Sequence, residues 1–106
     1  MSSDPTIFIV DTDPSLCQTI AGVASAMRWR AETYDSAERF LKDCTPDRPG
    51  CLVVEDRLPG LSGLELLAEL RRRGPALPTI MLSARPSVEL AVRAMRAGVL
   101  NFLEKP

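Results

Sequence analysis

The chain has 106 residues, 45% hydrophobic and 25% charged, the composition of one globular domain with a single core. Thirteen basic against fourteen acidic side chains leave a net charge of −1. That argues against a nucleic-acid surface spread over the domain, because phosphate binding needs clustered Lys and Arg.

A chain of this size buries roughly 60 to 70% of its unfolded surface, so neither disulfides nor a structural metal are needed to hold it. With no histidine, and with Cys17, Cys44 and Cys51 at no metal-ligand spacing, the common zinc sets cannot be assembled. The cysteines are expected to be reduced thiols. No apolar run approaches the roughly 20 residues that span a bilayer, and Met1 to Pro5 lacks the parts of a signal peptide. The cytoplasm is the expected compartment.

Thr6 to Val10 is a short β-branched run ending abruptly at Asp11, as a strand buried on both faces would. Asp13 can cap a helix and Pro14 suits its first turn; Leu16, Ile20, Val23, Ala24 and Met27 then recur at helical spacing to about Arg28. Ala31 to Tyr34 reads as a weak second strand, and Ser36 caps a short helix with Ala37, Phe40 and Leu41 on one side. Thr45 to Gly50 breaks it. Cys51 to Val54 repeats the first strand's pattern and stops at Glu55. After the turn at Leu58-Pro59-Gly60, Ser62 or Gly63 starts a helix with Leu64, Leu67 and Leu70 as its stripe. Arg71 to Arg73 and Gly74 close it. Pro78 to Leu82 is a fourth strand stopping at Ser83, Pro86 to Ala97 a helix closed by Gly98, and Leu100 to Leu103 a fifth strand.

Strands alternating with helices imply right-handed crossovers and a parallel sheet covered on both faces. The expected fold is α/β, a flavodoxin-like doubly wound sheet of five strands in the order 2-1-3-4-5, in one domain over 1–106. Ligands of such sheets sit beyond the carboxyl ends of the strands. There the scheme gathers Asp11, Glu55, Ser83 and Lys105. Each alone has a bland reading as a cap or a solvated charge. Together, carboxylates can hold a divalent cation, a hydroxyl and an ammonium can take phosphoryl oxygens, and a central carboxylate can accept a phosphoryl group.

With these residues in place, the sequence resembles the receiver domains of bacterial two-component response regulators over essentially its whole length. Ile9-Val10-Asp11 is similar to the first metal-binding acid, and Glu55-Asp56-Arg57-Leu58-Pro59-Gly60-Leu61-Ser62-Gly63 to the acceptor loop. Ser83-Ala84 is similar to the switch hydroxyl, and Phe102-Leu103-Glu104-Lys105-Pro106 to the closing signature. The stretches Ser36 to Leu41 and Ala91 to Gly98 resemble receivers attached to helix-turn-helix transcription factors.

The resemblance implies a signalling module rather than an enzyme. Its partners would be a histidine kinase or other signalling protein, an output domain outside this chain, and a second copy in a homodimer, with no direct contact to nucleic acid or membrane. Asp11 would be the outer metal-associated acid, Ser83 the switch hydroxyl, Phe102 the aromatic switch and Lys105 the phosphate-pairing ammonium. The backbone carbonyl of Arg57 would join Asp11, Asp13 and Glu55 as a ligand of Mg2+. Receivers continue into a fifth helix beyond the Lys-Pro pair. The expectation is therefore a fragment of a longer regulator, or else an apolar face inviting self-association or strand exchange.

Two central positions depart from the pattern. Thr12 stands where the acid that ligates magnesium directly is expected, and Glu55 where the acceptor aspartate is. A hydroxyl is a weaker ligand for a hard cation than a carboxylate. A glutamate reaches one methylene farther, and misplacement of about 1 Å can cost on the order of a hundredfold in rate. Asp56 is the alternative acceptor, but it lies one residue too near Pro59, and strand alternation aims it away. The expected domain has impaired phosphorylation or does without it; Glu55 either mimics the phosphorylated state or leaves the domain inactive.

A rival reading also exists. Phe8 to Ser15 is similar to the first motif of haloacid-dehalogenase-type phosphatases, with Asp11 as nucleophile and Asp13 as general acid/base.

Overall fold

Five short strands form one parallel sheet in which apolar, β-branched runs lie in the middle. They are β1 (Thr6–Val10), β2 (Arg30–Tyr34), β3 (Gly50–Glu55), β4 (Thr79–Ser83) and β5 (Asn101–Glu104), in the order β2-β1-β3-β4-β5. The connecting helices are α1 (Pro14–Ala26), α2 (Ala37–Asp43), α3 (Gly63–Arg73) and α4 (Val88–Arg96). This computed structural model describes residues 5–44, 48–74 and 77–106. Part of the expected break at Thr45 to Gly50, residues 45–47, lies outside the described residues.

Strand β1 is interior, pairing with β2 from Thr6↔Arg30 to Val10↔Tyr34 and with β3 from Thr6↔Gly50 to Val10↔Val54. Period-2 alternation divides the sheet's residues between its faces. One face sends Phe8, Val10, Leu52, Val54 and Met81 into a core completed by Ala37, Phe40 and Leu41 of α2, Leu66 and Leu67 of α3, and Ala94 of α4. Phe40 meets Phe8 and Tyr34 edge to face, with ring centroids 5.6 and 5.3 Å apart, the geometry that aromatic quadrupoles favour. The other face carries Ile9 and Val53, with α1 packed against β1 and β2.

The helices begin where side chains satisfy their free N–H groups. Asp13, Ser36, Ser62 and Ser87 each accept from the first turn, and Ser62 with Glu65 forms a reciprocal capping box. This sets α4 at Val88, later than the expected start at Pro86, because Ser87 is still extended and its hydroxyl takes the Leu90 N–H. α1 ends at Ala26, short of Arg28, since Arg28 turns to φ 61.

Burial corrects two expected stripes. On α3 the fully packed pair is Leu66 and Leu67, with Leu64 and Leu70 only partly covered. On α1 the buried residues are Cys17 and Ala24, whereas Val23 and Met27 are 55% and 59% exposed, because the helix lies over β1 and β2 on its other flank. β5 is shifted by one residue to Asn101–Glu104, leaving Leu100 exposed before it.

Candidate functional site

At the carboxyl ends of the strands, main-chain hydrogen bonds carry the sheet pairing one residue further and fix where the next residues stand. The Asp11 N–H donates to the Tyr34 carbonyl at 3.0 Å, the Asp56 N–H to Leu82 at 3.0 Å, and the Lys105 N–H to Ser83 at 2.8 Å. Gly63, the first residue of α3, lets the helix lie against the end of β3: its N–H donates to the Asp56 carbonyl, and a Cβ there would collide with the Glu55 carbonyl oxygen.

Three side chains converge over this edge. The Lys105 ammonium donates to Asp11 Oδ1 at 2.9 Å and to Glu55 Oε2 at 3.0 Å, spanning 94 and 50 residues of sequence. Thr12 takes the remaining Glu55 oxygen, its backbone N–H donating to Oε1 at 3.3 Å and its hydroxyl at 3.1 Å. The Lys105 and Glu55 side chains are each 11% exposed and the Asp11 side chain 1%.

The two carboxylates are unequally served. Burial pushes Glu55 up, but the Lys105 ammonium and the two Thr12 donors outweigh it, and the group is held below its ordinary value. Burial pushes Asp11 up, and Lys105 with the Asp13 N–H only partly offsets it, so Asp11 stays raised. Geometry explains the difference: both Glu55 oxygens have donors, whereas Asp11 Oδ2 is buried with none among the described residues. Burial also works against the Lys105 cation, but its two carboxylate partners prevail and raise it.

Of the other expected site residues only Asp13 touches this network, through its backbone N–H. Ser83 is fully buried and its hydroxyl accepts from the Arg85 N–H at 3.1 Å. Phe102 is half-buried and packs inward against the core. Asp13 turns its Oδ1 to the N–H groups of Ser15 and Leu16 as a helix cap, while its own N–H donates to Asp11 Oδ1. Asp56 is partly buried and Arg57 exposed in the loop beyond β3. Beside Asp11 and Thr12 a cleft of about 820 Å³ opens, lined by polar residues such as Gln18, Arg39 and Lys42 and by apolar ones such as Pro14 and Ala21.

The donor set does not suit a divalent cation. Mg2+ keeps several of its waters but must be held by one or two carboxylate oxygens. Here three of the four carboxylate oxygens of Asp11 and Glu55 already accept hydrogen bonds, Asp13 is a cap, and position 12 offers only a hydroxyl. Among the described residues no group of three or more His, Cys, Asp or Glu side chains is placed to hold a metal.

Two features escaped the sequence. Thr12 reads there as a lost ligand, yet it is a double donor to Glu55; a neutral hydroxyl and a glutamate on neighbouring strand ends were the available signal. Glu38 of α2 accepts from the Leu61 N–H at 2.9 Å and so ties α2 to the loop after Glu55, a contact no local pattern encodes.

A parallel α/β sheet in the order 2-1-3-4-5, with acids, a buried hydroxyl and an ammonium at its carboxyl edge, defines a receiver-like signalling domain. Comparison with known proteins bears this out: residues 7–106 match the response regulator receiver domain, and the chain belongs to that family. It is 37% identical over 100 residues, 94% of this chain and 47% of the relative, to the transcriptional regulatory protein FixJ of Azorhizobium caulinodans. To nodulation protein W of Bradyrhizobium diazoefficiens it is 33% identical over 105 residues, 99% of this chain and 46% of the relative. Among solved structures it superposes on the response regulator StyR with a TM-score of 0.89 at 37% identity, covering 97% of this chain and 52% of that one. FixJ-N matches with a TM-score of 0.83 at 35% identity, covering 100% of this chain and 84% of that one.

The chain thus spans about half the length of the curated relatives it matches. The phosphatase reading finds no support, since the family match is to receivers and Asp13, its general acid/base, is a helix cap. No helix among the described residues is long and apolar enough to cross a membrane.

Proposed function

We propose that this chain is the receiver module of a transcription-regulating response regulator, and that it signals without phosphorylation of its acceptor position. The observation that carries this reading is Glu55 itself, whose two oxygens are engaged by Lys105 and Thr12. In a receiver the acceptor carboxylate must attack a phosphoryl donor while a metal ion neutralises the developing charge. Glu55 instead has its oxygens tied in hydrogen bonds and lacks an acid beside it at position 12. Its charge is already joined to Lys105, the ammonium that would otherwise pair with a phosphoryl group. The likeness is partial, because a phosphoryl group carries about two negative charges where Glu55 carries one.

The attached output domain is proposed to be of the helix-turn-helix DNA-binding kind, and the signalling partner a histidine kinase or another protein. Exposed Val88, Val92 and Met95 form an apolar row on α4, which supports pairing of two copies.

The test is incubation with a small acyl phosphate and Mg2+, read by intact mass and by solution size. Wild type is expected to stay unlabelled, and the pair Glu55→Asp with Thr12→Asp to gain label and change its dimer fraction. Stoichiometric labelling of wild type at Glu55 or Asp56 would overturn the reading, as would a double variant that changes neither property.

A further inference from the structure

We infer that the strand-end site of this domain excludes divalent cations, and that the hydrogen-bonded set Thr12, Glu55, Lys105 and Asp11 stands in their place. This deepens the proposed reading of the same site and rests on its receiver assignment, but not on whether the domain can be phosphorylated.

Too few oxygens are free to ligate an ion. Mg2+ keeps several of its waters and tolerates little deviation from octahedral geometry, but it needs one or two carboxylate oxygens free to hold it. Glu55 Oε1 faces two Thr12 donors at 3.3 and 3.1 Å, and Glu55 Oε2 faces the Lys105 ammonium at 3.0 Å. Asp11 Oδ1 accepts from the same ammonium and from the Asp13 N–H, both at 2.9 Å. Of these four carboxylate oxygens only Asp11 Oδ2 is uncommitted, and it is sealed from solvent. No oxygen of this pair is therefore both free and open to an ion.

Entry of a cation would therefore require Lys105 to leave two nearly buried carboxylates, breaking two charge-assisted hydrogen bonds. It would also set the cation beside an ammonium with no third carboxylate grouped there among the described residues to balance them, because position 12 carries a hydroxyl and Asp13 faces the first turn of α1. The ammonium supplies the positive charge internally. It also ties β1, β3 and the segment after β5 together, so the carboxyl edge is closed without an ion.

The experiment is calorimetric titration of Mg2+ into the wild-type domain, with Mn2+ followed by electron paramagnetic resonance. No saturable binding is expected below about 10 mM for either ion, against which dedicated oxygen sites saturate far lower. Saturable one-site binding below that concentration overturns the inference. Thr12→Asp, checked for folding by circular dichroism, is expected to gain saturable binding; a folded Thr12→Asp that stays flat also overturns it, because the exclusion would then not depend on Thr12. Should that variant not fold, the wild-type titration decides alone. The two readings fail separately: metal binding without acyl-phosphate labelling sinks only this one, and labelling with a flat titration sinks only the phosphorylation-independent reading.

Discussion

The Thr12 hydroxyl donates to Glu55 Oε1 across 3.1 Å, joining the residue after Asp11 to the last residue of β3. The contact makes the two residues one unit. An aspartate at position 12 would place a second carboxylate against Oε1, whereas threonine satisfies it. Thr12→Val keeps the shape and backbone N–H but removes the hydroxyl, leaving a mostly buried oxygen with one long bond. The expected loss of stability is about 1 kcal/mol, the usual size of one such hydrogen bond. Urea unfolding measures it, and a neutral or stabilising result would mean the contact is unimportant.

Lys105→Met should do more damage. It leaves Asp11 and Glu55 as neighbouring carboxylates with no cation between them, and breaking a buried pair by removing one partner costs about 3 to 5 kcal/mol. Because the lysine side chain keeps 11% exposure, the lower end of that range is expected. Adding Glu55→Gln to Lys105→Met should recover part of the loss by removing one uncompensated charge. A double variant no more stable than the single one in urea would show that the repulsion is not what destabilises it.

The fold was legible because its signals are local. β-branched runs that stop at Asp11, Glu55 and Ser83 mark buried strands, and Asp13, Ser36 and Ser62 mark helix starts. What failed depended on neighbours. The periodicity of α1 could not say that Val23 and Met27 would stand exposed while Cys17 packs inward, since a helix is periodic whatever covers it. Leucine-rich α3 offered more than one stripe. At the site, the sequence brought Asp11, Glu55, Ser83 and Lys105 to one edge, but which of them bond was decided by side-chain reach across strands. Thus Lys105 bridges the two acids while Ser83 turns to Arg85.

Away from the site, Tyr34 provides a clean pH prediction. Burial, and then the Glu32 carboxylate that accepts its hydroxyl at 2.8 Å, push the phenol from 10.0 up to about 12. Arg48 holds Glu32 in place through bonds of 2.9 and 2.6 Å. A folded value raised above the unfolded one means stability fully present below pH 10 and lost as pH rises toward about 12. Tyr34 is the single tyrosine of the chain, so the ultraviolet phenolate band reports it alone. Its midpoint should lie near 12 in the folded domain and near 10 in urea, with Glu32→Gln lowering the folded value. A native midpoint near 10 would rule out the half-buried Tyr34–Glu32 bond.

Two glycines on helices should respond to alanine with opposite signs. Gly22 lies in α1 with nothing within 4 Å of where a Cβ would stand, so Gly22→Ala should stabilise by about 0.5 to 1 kcal/mol through helix propensity. Gly63 opens α3 at a place where the same atom would strike the backbone carbonyl of Glu55. There the propensity gain is overridden, because the obstacle is main chain and cannot swing aside; overpacking of this kind costs about 1 to 3 kcal/mol. Since the displaced carbonyl belongs to the residue bonded to Thr12 and Lys105, Gly63→Ala should also loosen the site. Amide hydrogen exchange at Thr12, whose N–H donates to Glu55, is expected to quicken in Gly63→Ala and to stay unchanged in Gly22→Ala. Equal urea midpoints for the two variants would contradict the close approach of α3 to the end of β3.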